Sequence, residues 1–108
     1  MTIVFSKEVE NYLFNLMEVL YNKEYFSYYE TSNKYVSKLI KEIKTTIHLK
    51  QKHNTPFNLK KHGLYYKKFS INKGTSWVVF YNYSKGTYYI NYISNNHAPD
   101  AEFLEGSK

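Results

Sequence analysis

Three consecutive runs in the second half of the chain carry most of the information about its architecture: LYYKKFSI (Leu64–Ile71), TSWVVFYNY (Thr75–Tyr83) and TYYINYIS (Thr87–Ser94). Each run is rich in the β-branched and aromatic residues that favour strands. The connections Asn72–Gly74 and Ser84–Gly86 each end in a glycine, which accepts the positive φ of a tight hairpin turn. The sequence therefore predicts a three-stranded antiparallel meander.

A short strand and a helix are predicted at the start of the chain. Thr2–Phe5 predicts the strand, and Ser6 is a favourable N-cap for a helix whose first turn carries Glu8 and Glu10. Apolar residues then recur at helical spacing and predict one buried stripe, formed by Val9, Tyr12, Leu13, Leu16, Met17 and Leu20.

A second helix is predicted to start near Thr31 or Ser32, after a polar and aromatic connection at Asn22–Glu30. Its predicted buried face consists of Val36, Leu39, Ile40, Ile43 and Ile47. Lysines line the opposite face, where we expect them to be solvated: Lys34, Lys38, Lys41 and Lys44. Each helix therefore has one side that is suited to a core.

The segment Lys50–Gly63 shows no sustained hydrophobic periodicity, and we predict a mobile surface connection without secondary structure. A loop of this length in a compact domain is often functional. Its two histidines, His53 and His62, are too far apart for a helical metal pair, and no carboxylate or thiolate accompanies them. A zinc site needs three or four converging ligands, so we predict no metal site here.

Length and composition favour one cytoplasmic domain. A chain of 108 residues with 43% apolar residues can build an independent core. The absence of cysteine excludes a disulfide framework and thiolate chemistry. No run of about 18 apolar residues predicts a membrane span, and Ile3–Phe5 is too short for the core of a signal peptide. We therefore expect no membrane partner.

Positive charge is concentrated in the second half of the chain. Six lysines balance six glutamates over residues 1–49, whereas residues 50–97 carry eight lysines and no acidic residue. A field of one sign attracts polyanions, of which phosphate backbones are the commonest in cells. The other interpretation of this positive charge is that it only keeps the protein soluble. All 15 basic residues are lysine, which offers a point charge rather than the bidentate fork of arginine.

The order strand, helix, helix, basic segment, meander and polar tail resembles the RelE/ParE family of bacterial type II toxins. The resemblance covers essentially the whole chain as an architecture, and its most specific parts are YYKKF (Tyr65–Phe69), WVVFY (Trp77–Tyr81) and a last strand that leads to His97. It implies a single α+β domain over residues 1–108. In this fold the N-terminal strand joins an antiparallel sheet with a three-stranded C-terminal meander, and a two-helix hairpin packs on one face.

The resemblance also implies a function and partners. Family members of this kind are toxins that bind a cognate antitoxin, and some cleave messenger RNA in the ribosomal A site with the concave sheet face, without a metal or other cofactor. Lys67 or Lys68, together with His97, occupy positions that match the basic and terminal residues of those nucleases. The arginine usual near the start of the second meander strand is absent, and Ser76 and Trp77 stand there. That departure favours the alternatives, a ParE-like inhibitor of DNA gyrase or an inactive binding module.

The chemistry of individual side chains predicts which residues would act in RNA cleavage. Histidine has an unperturbed pKa near 6.5, which suits proton transfer at neutral pH, and His97 is therefore the predicted proton-transfer group. Lys68 and Lys67 are predicted to offset phosphate charge. Three further lysines are predicted to hold the flanking RNA backbone: Lys60, Lys61 and Lys73. Trp77 and surface tyrosines are candidates for base stacking, although a core position is the other interpretation of such rings.

Strand alternation predicts which lysine faces the ligand. Phe69 and Ile71 are the better core candidates of the first meander strand, so Lys68 is predicted to project onto the open face. Lys67 has the parity of the core residues and is predicted to lie near the sheet edge or to snorkel. In the last strand, an extended chain would place Asn91 and His97 on the same side.

Overall fold

The protein is an α+β domain in a computed structural model that describes residues 1–22, 29–72 and 75–95. The helices are α1 (Lys7–Asn22) and α2 (Tyr29–Thr46), followed by the 3₁₀ helices η1 (Ile47–Leu49) and η2 (Phe57–His62). The strands are β1 (Thr2–Phe5), β2 (His53–Asn54), β3 (Tyr65–Asn72), β4 (Thr75–Ser84) and β5 (Thr87–Asn95). The predicted N-terminal strand, helical pair and meander are confirmed.

The five strands form one mixed sheet in the order β1-β5-β4-β3-β2. β1 runs parallel to β5, whereas the other neighbours are antiparallel, so the prediction of a wholly antiparallel sheet was wrong. Short connections between consecutive strands fix the antiparallel directions within the meander. β1 is connected to the meander through the two helices rather than by a hairpin, so no hairpin constrains its direction.

The ends of the helices follow local signals to within a few residues. Ser6 caps α1 as predicted, since the backbone amide of Val9 donates to Ser6 Oγ at 3.2 Å. α2 begins at Tyr29, ahead of the predicted start at Thr31 or Ser32. The lysines predicted on its outer face are all exposed: Lys34, Lys38, Lys41 and Lys44.

The main core lies between the helices and one face of the sheet. The helices contribute Val9, Leu13, Leu16, Val36, Leu39 and Ile43, joined by Ile47 of η1, and the sheet contributes Phe69, Trp77, Val79, Tyr81, Ile90 and Ile93. The predicted apolar faces of both helices are therefore buried where the structure describes their side chains. Those of Met17 and Leu20 lie outside that part.

A second, smaller cluster lies on the opposite face of the sheet, which we call the open face. It contains Leu59 of η2, Tyr66 of β3, and Val78 and Phe80 of β4, with Tyr92 of β5 packed against them. Alternation along each strand produces the two clusters, because successive side chains point to opposite sides. η2 thus covers part of the face that the helices leave uncovered.

The prediction that Lys50–Gly63 lacks secondary structure was wrong. β2 pairs with the start of β3, and the amide of Thr55 donates to the carbonyl of Leu64 at 3.0 Å. η2 follows and is anchored by the buried Leu59. A two-residue strand and a six-residue 3₁₀ helix are too short to show a period in the sequence, which is why the pattern did not reveal them.

Two turns depend on glycine. Gly63 has φ +152°, and a Cβ at this position would lie 2.8 Å from the backbone nitrogen of Tyr81, so the end of η2 approaches β4 more closely than any side chain allows. Gly86 has φ +83° in the β4–β5 turn, where Lys85 also has a positive φ of 50°. This pair fits the tight hairpin that the sequence predicts there.

The β4–β5 ladder contains a bulge. Phe80 pairs with Tyr92 and Tyr81 pairs with Ile90, so Asn91 is the extra residue. The alternation of β5 therefore shifts at Asn91, and the predicted alignment of Asn91 with His97 stays a prediction because His97 lies outside the described residues.

No helix in the described part of the chain is long and apolar enough to cross a bilayer.

Candidate nucleic-acid interface

The open face presents two rows of side chains across the meander. Tyr66, Phe80 and Tyr92 are aligned by the strand register in one row. Lys68, Val78 and Ser94 form the neighbouring row, about 7 Å further along the strands. Lys68 is half-buried there, on the face predicted from strand alternation. Tyr66 and Phe80 are buried in this row, whereas Tyr92 is half-buried, so Tyr92 and Lys68 are the members of the two rows that a base or a phosphate would meet.

Two histidines lie flat against the aromatic row. The His62 ring stacks on the Tyr92 ring with centroids 3.8 Å apart and planes at 11°, and it is tilted against Phe80 at 5.6 Å. The His53 ring stacks on Tyr66 at 4.9 Å and 16°. Both histidines are half-buried, so their rings have fixed orientations while part of each remains accessible to solvent.

The basic residues around this face are not offset by acidic ones in the sequence. Lys60 and Lys61 are exposed on η2, next to His62. No Asp or Glu occurs at residues 50–95, so neither η2 nor any meander strand contributes a carboxylate. The aromatic row, the histidines and Lys68 therefore stand within a part of the chain whose charged side chains are all basic.

Lys67 does not share this face. Its side chain is 5% exposed on the helix side, and Nζ donates to the carbonyl oxygen of Ile47 at 2.7 Å. Nζ also lies 5.7 Å from the ring centroid of Tyr81 and 5.3 Å from that of Tyr88. Burial, and to a lesser extent the charge of Lys52, lower the pKa of Lys67. Of the two expectations for Lys67, snorkelling to water was wrong, because the Ile47 carbonyl receives its amine inside the fold.

The remaining predicted positions divide into two groups. His97 and Lys73 lie outside the described residues, and their proposed roles stay predictions. Trp77 is buried in the main core, where Nε1 donates to the hydroxyl of Tyr35 at 2.9 Å. It faces the helices and is therefore not a base-stacking residue.

Sequence reasoning missed the residues that η2 brings to the open face. His62 was considered only as half of a metal pair, and its stacking on Tyr92 depends on contacts between residues 30 positions apart. Phe57 was not singled out, although its side chain is 91% exposed at the start of η2. The signal present in the sequence is the motif PFNLKKHG (Pro56–Gly63), in which one apolar residue in the middle anchors a short basic turn.

The described residues contain no group of three or more His, Cys, Asp or Glu side chains that could hold a metal ion. Comparison of the chain with protein-family models, with curated proteins and with solved structures finds no match in any of the three.

Proposed function

We propose that the protein is an RNA-binding toxin similar to the RelE/ParE family, which cleaves messenger RNA on the ribosome and is neutralised by a cognate antitoxin. The observation that carries this proposal is the open face, where histidine rings and Lys68 adjoin an aromatic row in an acid-free part of the chain. The arrangement of a strand, two helices on one sheet face and a meander adds support.

Cleavage of RNA through its own 2′-hydroxyl needs groups that move protons and offset charge. A base removes the 2′ proton, the 2′ oxygen attacks phosphorus, and the bond from phosphorus to the 5′ oxygen breaks as that oxygen receives a proton. The products are a 2′,3′-cyclic phosphate and a 5′-hydroxyl. His62 and His97 are the proposed proton-transfer groups, because imidazole can both accept and donate near neutral pH.

Lys68 is proposed to offset the negative charge that builds up on the phosphate during attack. Lys60 and Lys61 are proposed to bind flanking phosphates, and the exposed ring of Phe57 is proposed to stack on an unpaired base. Lys67 is assigned no contact with RNA, because its amine is held by Ile47 on the helix side. Its role in this proposal is to hold β3 against the end of α2.

Single histidine variants test the proposal. His62→Ala and His97→Ala should each reduce the cleavage of messenger RNA on translating ribosomes by about 100-fold or more, the usual contribution of one acid–base group. His48→Ala is the matched control, since His48 is exposed on η1 and should leave the rate unchanged. Wild-type protein that leaves messages intact on translating ribosomes would contradict the nuclease function.

A binding module without chemistry is the second candidate. The flat stacking of His53 on Tyr66 and of His62 on Tyr92 favours it, because packed imidazoles can serve to order the aromatic row. In that case, His62→Ala would weaken binding to ribosomes or RNA, and no cleavage would be seen with wild type. A gyrase inhibitor would instead change DNA supercoiling in cells while messages stay intact.

A further inference from the structure

A pocket of about 160 Å³ lies where the start of α1 passes β5. Its lining consists of Glu8, Val9 and Tyr12 from α1 and of Asn91, Tyr92 and Ile93 from β5. Pockets for drug-sized ligands have volumes of roughly 300–1,000 Å³, so this pocket is suited to one planar ring system rather than to a whole nucleotide.

The pocket exists because of two features of the sheet. Among the described residues, β1 pairs with β5 only as far as Ile90, so the edge of β5 beyond that point is not covered by a strand. Asn91, the bulge residue, comes next and bends the edge. Bulges at sheet edges commonly redirect side chains towards a binding site.

Tyr92 connects the pocket to the open face. Tyr92 is one of the residues that line the pocket, and its ring stacks on His62 on the open face. On the opposite wall, the side chains of Tyr12 and Asn95 are hydrogen bonded, and burial together with the nearby Tyr92 raises the pKa of Tyr12 to about 12. Apart from Glu8, the lining is therefore uncharged and partly aromatic at neutral pH, which suits a nucleobase.

Glu8 is the charged residue of the lining. A carboxylate has two acceptor oxygens and no donor, so it pairs best with two adjacent N–H groups. Among the four RNA bases, only guanine offers two such donors side by side, at N1 and N2 of its Watson–Crick edge. Adenine and cytosine present a donor beside an acceptor there, and uracil presents one donor between two acceptors.

We propose that this pocket binds an unpaired guanine base of the RNA held on the open face, with Glu8 accepting hydrogen bonds from guanine N1 and N2. This inference rests on the proposed RNA binding and adds a base preference to it. Tyr92 is common to the pocket and to the His62 stack, so an RNA chain that crosses this edge of β5 would contact both.

Mononucleotides test the pocket directly. In NMR titrations of the full chain, GMP should shift the amide signals of Glu8, Asn91 and Ile93 and should bind about tenfold more tightly than AMP. IMP, which lacks the N2 amino group, should bind more weakly than GMP. Glu8→Gln should remove the preference for GMP, whereas Glu10→Gln, an exposed position on the same helix that does not line the pocket, should keep it.

Two short RNAs separate this inference from the proposed function. Heptauridylate and the same heptamer with a central guanine are compared at low salt, and the guanine-containing RNA should bind about tenfold more tightly. If both RNAs bind equally, or if GMP and IMP bind wild-type protein alike, the guanine pocket is overturned while RNA binding stands. If neither RNA binds, the proposed RNA binding is overturned as well.

Discussion

Two adjacent lysines show how the fold separates side chains of the same chemical type. Lys67 and Lys68 follow each other in β3, yet one points towards the helices and the other towards the open face. A buried ammonium is costly unless it is hydrogen bonded, and Lys67 meets this need with the carbonyl of Ile47, the first residue of η1. Lys68 lies half-buried on the other side of the sheet.

The stability contribution of Lys67 should depend on pH. Its pKa is lowered in the folded protein below the ordinary value of 10.5. Between the lowered pKa and 10.5 the unfolded chain binds more protons than the folded one, so the free energy of unfolding rises with pH. We expect wild type to gain stability relative to Lys67→Met as pH approaches 10.5, measured by urea unfolding at a series of pH values.

The control for that measurement is Lys41→Met, which removes an exposed lysine of α2. Its difference from wild type should change much less with pH. A constant difference between wild type and Lys67→Met across the alkaline range would contradict the buried, pKa-lowered amine.

At the level of elements, η2 has the largest effect on the candidate site. This helix is held by Leu59 in the open-face cluster and by the close approach of Gly63 to β4. It carries Lys60, Lys61 and His62 onto the sheet. A change that detaches η2 should therefore remove the site and leave the main core in place.

Gly63→Ala tests this dependence. The added Cβ would lie 2.8 Å from the Tyr81 nitrogen, which is fixed backbone, and the φ of +152° is unfavourable for alanine. We expect a loss of about 2–3 kcal/mol in the free energy of unfolding, with large NMR shifts at Leu59 and His62. Gly86→Ala is the matched control, since it has a positive φ but no atom within 4 Å, and should cost about 1–2 kcal/mol. Equal effects of the two variants would argue against the close contact.

At the level of the whole molecule, the two halves of the chain differ in charge. Residues 50 to the end account for the entire formal charge of +6, since they carry nine lysines and three acidic residues. The sheet and η2 should therefore bind polyanions, whereas the outer face of α2 belongs to the charge-balanced half.

A salt titration of RNA binding checks this asymmetry. The double variant Lys60→Ala/Lys61→Ala should reduce the slope of log affinity against log salt by about 1.4, because each phosphate contact with a single strand contributes roughly 0.7. Lys38→Ala/Lys41→Ala removes the same charge from the outer face of α2 and should leave the slope nearly unchanged. Equal loss of slope in both double variants would show that only net charge matters.

The local sequence pattern was sufficient to predict the helices and the meander. These elements are long enough for their periodicity and their turn residues to be recognised from neighbouring positions. The cap at Ser6, the buried stripe from Val9 to Leu16 and the Gly86 turn all express interactions within a few positions. The same rule of alternation placed Lys68 on the open face. In each case the physical cause acts over one turn of helix or one step of strand.

Contacts between distant segments decided the rest. Four features depend on which residue another part of the chain supplies. They are the bulge at Asn91, the parallel pairing of β1, the hydrogen-bond acceptor for Lys67 and the stacking of His62 on Tyr92. Short elements such as β2 and η2 have little intrinsic preference for strand or helix. They form because they pair with or pack against the sheet. That is why local spacing does not reveal the hydrogen-bond acceptor of Lys67 or the stacking partners of His53 and His62.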